Sequence, residues 1–327
     1  MVENPDPSRR FRRLSALLVA AALLGAGRSH AADTADAPAA AAKAAPAKPA
    51  SYAQEIEAWR QDRFKGLKDE NGWFTLVGLF WLDEGENRFG SDPRGKVILP
   101  EKVPAVAGTL VRKGDVVTAK VEPGVVVTVD GQPVTEPLEL KVDASGKPTV
   151  LHLGSVSFFV IKRGDRVGVR VKDSQSPALA AFHGLDYFPV APAWHVAARF
   201  EPYTPPKKIP IANILGQVAD EPSPGAVVFD WQGKTYRLDA LSGGDDGSLF
   251  LIFADQTNGK ETYGAGRFLD APAPKDGKVR VDFNTAYNPP CAFTAFATCP
   301  LPPAQNRLAL RVEAGEKKYG EGHAPVH

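Results

Sequence analysis

The stretch GTLVRKGDVVTAKV (Gly108–Val121) contains two runs in which apolar and polar residues alternate, and Lys113-Gly114-Asp115 joins them. Alternation with a period of two is typical of strands that bury one face, and a glycine between two such runs indicates a hairpin turn. Similar runs with turns between them continue to Lys172. Parallel strands would need crossover helices, for which these connections are too short, so the pattern predicts an antiparallel sandwich or barrel.

The wider sequence predicts a mainly β protein with two β units, each sandwich-like or barrel-like. A segment rich in proline and aromatic residues (173–206) separates two blocks of strand-like runs, and Pro202–Lys208 is the predicted hinge. We therefore assign residues 51–204 to the first unit and 205–320 to the second. The predicted strands are Lys96–Leu99, Gly108–Arg112, Val116–Val121, Val125–Val129, Leu138–Val142, Thr149–Leu153, Ser155–Lys162, Val167–Lys172, Ala226–Asp230, Lys234–Asp239, Leu249–Ala254, Val279–Phe283 and Leu308–Val312.

One amphipathic helix of about 15 residues is predicted ahead of the strands, and we expect it to pack on the first unit. Ser51 and Gln54 fit a capping box, in which each side chain bonds the backbone N–H of the other residue. Apolar residues then recur at helical spacing: Tyr52, Ile56, Trp59 and Leu67. The apolar run Trp73–Leu82 predicts a buried strand on which this helix docks.

The N-terminus has the features of a cleaved secretory signal. A basic segment at residues 9–13 precedes the apolar run Leu14–Ala26, and Ser29-His30-Ala31 fits a signal-peptidase site. The apolar run has about 13 residues, short of the roughly 20 that span a bilayer. We predict a signal peptide at residues 1–31, a periplasmic or secreted location, and no integral membrane segment after cleavage.

Composition limits both the folded region and the partners. Residues 32–50 contain no aromatic and no large aliphatic residue, so they are predicted to form a disordered Ala/Pro tether, and residues 321–327 a frayed tail. The formal net charge of the chain is +1, so bulk charge does not favour nucleic acid or an anionic membrane as a partner. The cofactor and any protein partner are left unknown at this level.

The most irregular apolar stretch is VDFNTAYNPPCAFTAFATCPLPP (Val281–Pro303). It contains five prolines, four aromatic residues and both cysteines of the chain. Prolines fix the backbone and remove amide donors, so the stretch predicts a rigid loop that packs on a β core.

This loop also carries a family resemblance. The chain resembles DUF1684, a bacterial family of domains of unknown function, over most of Trp59–Tyr319. The matching pieces are Asp255–Leu269, Asp282–Pro303 and Ala314–Tyr319, with Trp73–Asn87 and Gly184–Pro189 upstream. The resemblance implies a two-part β architecture and no particular reaction.

The first unit is also similar in fold to a forkhead-associated (FHA) domain. The similarity rests on Asn87–Asp92, Val129-Asp130-Gly131 and Arg163-Gly164-Asp165-Arg166. The Ser-Arg-x-x-His stretch that reads phosphothreonine in that family is absent from the sequence. The similarity therefore implies the fold alone, without phosphopeptide binding.

Polar residues of the second unit form the candidate ligand site. The sequence has no G-x-S-x-G, H-E-x-x-H, P-loop or paired C-x-x-C motif. An arginine beside tyrosine hydroxyls and asparagine amides suits a carboxylate or phosphate, and Gly264 and Gly266 would let a ligand approach the backbone. The candidate ligand-binding residues are Asp255, Thr262, Tyr263, Arg267, Asn284, Tyr287, Asn288 and Glu316. The alternative is a buried hydrogen-bond network that holds the loop, with Arg267 paired to Asp255 or Glu316.

The two cysteines, Cys291 and Cys299, allow three interpretations. A disulfide is favoured in an exported chain. Two packed free thiols are the second possibility. A metal or redox pair is the third, and a metal would need further histidine or thiolate ligands. No metal site is predicted.

Three functions follow from these residues. The leading hypothesis is a module that binds a small anionic ligand or an envelope component through the polar pocket of the second unit. The alternative is a hydrolase-type enzyme, with Tyr263, Arg267 and either Asp255 or Glu316 as binder, oxyanion stabiliser and general base. The third hypothesis is a structural β scaffold without a small ligand.

Overall fold

The computed structural model describes residues 50–320. The predicted signal peptide, the predicted tether apart from Ala50, and the predicted tail lie outside the described residues. Within residues 50–320 the chain is mainly β with one long N-terminal helix, which confirms the predicted fold class. No helix of this part of the chain is long and apolar enough to cross a membrane.

The regular elements follow one another in chain order with short connections. They are α1 (Tyr52–Lys68), β1 (Leu76–Trp81), β2 (Gly85–Gly90), β3 (Val97–Ile98), β4 (Gly108–Lys113), β5 (Val116–Val121), β6 (Thr128–Val129), β7 (Gln132–Pro133), β8 (Leu138–Leu140), β9 (Leu151–Leu153), β10 (Val156–Arg163), β11 (Arg166–Asp173), α2 (Pro177–Ala181), β12 (His195–Ala212), β13 (Val218–Trp231), β14 (Lys234–Ser242), β15 (Leu249–Phe253), β16 (Arg267–Ala271) and β17 (Lys278–Asp282).

The first β block consists of two sheets with a shared core. One sheet has the strand order β1-β11-β10-β9-β6-β7, and the other has the order β3-β2-β4-β5-β8. Described strands pair antiparallel in both sheets, except that β2 and β3 run parallel. The hairpin predicted from Gly108–Val121 is β4–β5, and its Leu110 and Val117 are fully buried against Phe158 and Val169 of the facing sheet.

The second β block is one antiparallel sheet of six strands, ordered β16-β15-β14-β13-β12-β17. It curls so that β16 approaches β17, and its inner face buries side chains such as Leu238, Leu251 and Val281. The predicted strand Leu308–Val312 is wrong, because this segment is irregular. Its apolar side chains are nevertheless buried in the same core, so the alternating pattern correctly marks burial although no strand ladder forms.

The predicted hinge at Pro202–Lys208 lies inside β12. The β12–β13 pairing continues on both sides of it, with a register irregularity between Pro202 and Lys207. The chain is therefore strand at this position. The division of the chain into units at 204/205 stays a prediction.

Helix α1 packs on the segment that precedes β1, and it also contacts the second block, which was not predicted. The predicted capping box is present, and the helix has 17 residues. Its side chains reach into the second block, where Tyr52 donates to Asp282 and Arg63 contacts Glu316. Periodicity indicates which face of a helix is buried, but it does not indicate which part of the chain covers that face.

A third apolar cluster joins the helix, the first block and the second block. It contains Leu67 of α1, Trp73 and Phe74 before β1, and Phe250 and Phe268 from the outer face of the second sheet. The loop predicted from Val281–Pro303 contributes further members to the cluster, namely Tyr287, Cys291, Ala292, Phe293, Ala297 and Cys299. This loop therefore packs between the two blocks.

Candidate functional site

Arg267 and Asp255, two of the predicted ligand-binding residues, lie in a closed network inside the second block. The Arg267 guanidinium is 3.3 Å from Asp255 Oδ1, and both side chains are fully buried. Arg267 also donates to the carbonyl oxygens of Val312 and Ala314, at 2.9 and 2.5 Å. Asp255 accepts a 2.6 Å hydrogen bond from the Val312 backbone N–H. This corresponds to the buried-network alternative, with Arg267 paired to Asp255.

Thr262 belongs to the same network. Thr257 Oγ1 is 2.8 Å from Asp255 Oδ1 and 2.9 Å from Thr262 Oγ1, and both threonines are fully buried. Gly266 adopts φ +105°, and a Cβ at this position would meet the Phe253 carbonyl oxygen at 2.8 Å and the Pro302 ring. The close approach that this glycine permits is therefore with the protein's own backbone and loop, and the predicted ligand site around Arg267 is filled by the fold.

Glu316 and Asn288 form a second buried network with Arg63 of α1. Arg63 Nε is 2.8 Å from Glu316 Oε1, and Arg63 Nη2 donates to the Asn288 carbonyl at 3.0 Å. The Asn288 backbone N–H donates to Glu316 Oε2 at 2.7 Å. The Arg63 guanidinium lies 4.7 Å from the centre of the Tyr287 ring. This network borders a cavity, because both Arg63 and Tyr287 line it.

Asn284 anchors the start of α1. Its amide donates to the Tyr52 hydroxyl at 2.8 Å and to the Ala191 carbonyl at 2.9 Å. The Tyr52 hydroxyl donates to the Asp282 carboxylate, with oxygens at 2.8 and 2.9 Å. Tyr263 lies elsewhere and donates to the Cys291 carbonyl at 3.2 Å. Both predicted residues therefore make structural contacts.

Replacing Tyr52 by phenylalanine should weaken this anchor in a pH-dependent way. Burial, followed by the hydrogen bond to Asp282, raises the pKa of Tyr52 above its ordinary value. A phenol whose pKa is raised on folding contributes stability that is fully present below about pH 10 and is lost as the pH rises towards the folded-state value. We expect Y52F to lose about 1 kcal/mol at neutral pH and to converge on the wild type above pH ~10.

Urea unfolding between pH 7 and 11 measures this difference. D282N is the matched variant, because it keeps an acceptor for Tyr52 and removes the carboxylate charge. A difference between Y52F and wild type that stays constant over the whole pH range would contradict the assignment.

A cavity of about 520 Å³ lies between the two β blocks. Helix α1 and the β10–β11 hairpin contribute to one side of it, and the β12–β13 hairpin, Phe268 and the proline-rich loop contribute to the other. Of the predicted site residues, Tyr287 and Cys299 line this cavity. The candidate functional site therefore lies between the blocks. The ligand site predicted within the second block stays a prediction.

Basic side chains outnumber acidic ones in the cavity lining. Arg63, Lys162, Arg163 and Arg170 line it together with Asp143 and Glu221. Arg163 Nη1 is 2.6 Å from the buried Asp143 carboxylate. Arg170 is only 4% exposed, and its guanidinium lies 5.5 Å from the Trp73 ring centre. Cations held in a partly desolvated, aromatic setting favour an anionic group in the space beside them.

Thr298 connects the proline-rich loop to two of these arginines. Its hydroxyl oxygen accepts hydrogen bonds from Arg163 Nε at 3.1 Å and from Arg170 Nη2 at 3.4 Å. Thr298 also lines the cavity. The position of the guanidinium groups therefore depends on the position of this loop.

Cys291 and Cys299 lie against each other within the loop. The Cys291 N–H is bonded to Cys299 Sγ at 3.0 Å (N to S), and the Cys299 N–H to Cys291 Sγ at 3.3 Å. Both thiols are free and buried in the structure. The predicted disulfide therefore stays a prediction.

Sequence analysis missed the arginines of the cavity. Arg170 occupies the polar position of an alternating run, V-G-V-R-V-K, and such a position is expected to face solvent. Arg63 lies among charged residues of an amphipathic helix, where a solvent-exposed face is equally expected. The sequence contained only a weak signal for these arginines. Thr298, which contacts Arg163 and Arg170, belongs to the proline-rich loop that the sequence had already singled out.

A metal centre finds no support in residues 50–320, where no group of three or more His, Cys, Asp or Glu side chains could hold a metal ion.

Comparisons with known proteins give one family model and one similar solved structure for part of the chain. A family model described as a protein of unknown function, DUF1684, matches residues 180–317. The chain is also similar to an uncharacterized protein of Haloarcula marismortui whose solution NMR structure is known. The two are 30% identical over 42% of this chain and 78% of that chain, with a TM-score of 0.36. No curated protein matches the chain.

Proposed function

The chain belongs to the DUF1684 family of proteins of unknown function, and we propose that it binds a small organic anion in the cavity between its two β blocks. The proposal keeps the leading hypothesis from the sequence, that the protein binds a small anionic ligand. It assigns the ligand to the cavity between the blocks and not to a pocket within the second unit. One observation carries it, namely that Arg63, Arg163 and Arg170 meet at a single cavity of about 520 Å³.

The cavity favours an organic anion over an inorganic one. Guanidinium groups bind a carboxylate or phosphate through paired N–H donors. Much of the remaining lining is apolar, with Trp73, Phe268 and Tyr287 among its members. A carboxylate with an apolar or aromatic body can contact both the guanidinium groups and the apolar lining, whereas phosphate or sulfate alone would leave the apolar lining exposed to water.

The hydrolase alternative has less support from the geometry. It assigns roles to Arg267 and Asp255, whose side chains are fully buried and bonded to each other and to the backbone. Glu316 is likewise fully buried and is bonded to Arg63. The scaffold hypothesis remains the competitor that the binding experiment tests.

We further propose that binding takes place after export, in the periplasm or outside the cell. This part rests on the sequence of residues 1–31 alone. Protein for the binding experiment is therefore prepared from a periplasmic extract.

Isothermal titration with benzoate and its uncharged analogue benzamide tests the proposal, with octanoate as a second carboxylate. We expect both carboxylates to bind and benzamide to fail. We expect Arg170→Gln to weaken benzoate binding about 10- to 100-fold, because it removes one charged hydrogen-bond donor group.

Arg166→Gln is the matched control. Arg166 lies on the same strand, β11, but stacks on the Trp81 ring at 4.0 Å and is absent from the cavity lining. Its replacement should leave benzoate affinity unchanged. Failure of both carboxylates to bind, or equal losses in the two variants, would overturn the proposal in favour of the scaffold.

A further inference from the structure

We propose that Cys291 and Cys299 are a reversible thiol–disulfide exchange pair whose oxidation tightens the anion cavity. The inference rests on the proposed function for its effect on binding, while the exchange chemistry stands on the cysteine geometry alone. Its co-substrate is a small disulfide.

The backbone orients the two sulfur atoms towards each other. Each Sγ accepts a hydrogen bond from the backbone N–H of the other cysteine, with N–S distances of 3.0 and 3.3 Å. The two residues are therefore joined by a reciprocal pair of hydrogen bonds. Hydrogen bonds from N–H groups stabilise negative charge on a sulfur. These hydrogen bonds therefore make the thiolate form of either cysteine easier to reach than it would be without them.

The surroundings shift the pKa values of the two thiols in opposite directions. The hydrogen bond from Cys299 lowers the pKa of Cys291, against the opposing effect of burial, and the charge of Arg170 acts in the same direction as the hydrogen bond. Burial, followed by the hydrogen bond with Cys291, raises the pKa of Cys299. One activated and one protonated cysteine is the arrangement that thiol–disulfide exchange requires.

The cavity offers a route to the pair. Cys291 and Cys299 are only 6% and 5% exposed. Cys299 nevertheless lines the cavity beside Thr298 and Pro300. A small disulfide can therefore approach the pair from the same space that is proposed to hold the anion.

The loop between the cysteines connects their state to the arginines. The middle of this loop is bound to the segment Phe74–Leu76. Thr294 Oγ1 donates to the Leu76 carbonyl at 3.3 Å, and the Phe293 ring centre lies 5.2 Å from that of Phe74. Its end carries Thr298, which accepts from Arg163 and Arg170. A bond between the cysteines would fix this end, and with it the two guanidinium groups.

The exchange step balances with no further reactant except a proton from water. Cys299, the cysteine that lines the cavity, passes its proton to the Cys291 thiolate and attacks one sulfur of the incoming disulfide, and the departing thiolate takes up a proton from water. The second cysteine then loses its proton and attacks the mixed disulfide, which forms the Cys291–Cys299 bond and releases a second thiol. Two electrons and one proton pass from the cysteine pair to the incoming disulfide, and one further proton comes from water, so that the disulfide leaves as two thiols.

The experiment equilibrates the folded protein in buffers of 2-mercaptoethanol and 2-hydroxyethyl disulfide at several ratios. Mass spectrometry after acid quenching measures the fraction of chains that are two hydrogens lighter. Titration calorimetry measures benzoate affinity in the same samples. We expect a reversible two-electron transition, with benzoate bound about fivefold more tightly in the oxidised protein because the binding groups are pre-organised.

Cys291→Ser and Cys299→Ser provide the controls. Both variants should bind benzoate with an affinity that no longer depends on the redox buffer. If either variant fails to fold, the redox and benzoate titrations of the wild-type protein still test the inference. A pair that oxidises only in urea, or oxidises without any change in affinity, would overturn the inference. If benzoate binds neither state while the mass still shifts, the proposed function and redox control of the cavity are both wrong, and the exchange pair alone is supported.

Discussion

Replacing Arg267 by methionine is expected to lower the free energy of unfolding by about 3–5 kcal/mol. The substitution leaves the fully buried Asp255 carboxylate without its counter-charge and removes donors from the carbonyl oxygens of Val312 and Ala314. Burial penalises an unpaired charge far more than it rewards a paired one, so the loss exceeds that of an ordinary hydrogen bond. Urea unfolding followed by circular dichroism measures it.

Arg311→Met is the control for this effect. Arg311 pairs with Glu261 and Glu313 at 2.6 and 2.8 Å, but its side chain is 41% exposed. Exposed ion pairs contribute about 0–1 kcal/mol, so this variant should remain close to wild type. A similar small loss for Arg267→Met would show that the buried network is not required for stability.

The second large effect is expected at the helix. Arg63→Met should destabilise the protein by about 3–5 kcal/mol, since Glu316 is fully buried and Arg63 is its ion-pair partner at 2.8 Å. The Asn288 carbonyl also loses a donor. Because these contacts join α1 to the second block, protease cleavage within α1 should become faster in the variant.

Lys65→Met tests whether the effect is specific to the buried face. Lys65 lies on the same helix and pairs with Asp62 at 3.5 Å, with both side chains largely exposed. Its replacement should change stability by less than about 0.5 kcal/mol. Equal unfolding curves for Arg63→Met and wild type would mean that α1 docks without this ion pair.

Local sequence patterns predicted much of the fold correctly. The strand pair Gly108–Val121 alternates with a period of two around a glycine turn, and it forms β4–β5 within one residue of the predicted bounds. The capping box at Ser51 likewise marks the start of α1. Such features depend on residues that are close in the chain, so the sequence alone contains the information.

The candidate site was predicted less well, because the same residues can serve either a ligand or the core. Arg267, Asp255 and Thr262 form the kind of polar cluster that binds anions. In the tertiary structure Arg267 pairs with Asp255, and Thr262 is linked to Asp255 through the Thr257 hydroxyl. Burial decides between the two uses. Burial of a polar residue depends on which distant segments cover it.

By itself, the sequence determined that this chain forms an antiparallel β protein with a capped N-terminal helix and a rigid proline-rich loop. Only the tertiary structure decided that the loop and helix pack between two β blocks and that Arg170 lies in the cavity there. Arg170 alternates with Val169 and Val171, so local physics places it on the face opposite the core of the first block. Whether that face meets water or a second block depends on long-range packing, which no local pattern encodes.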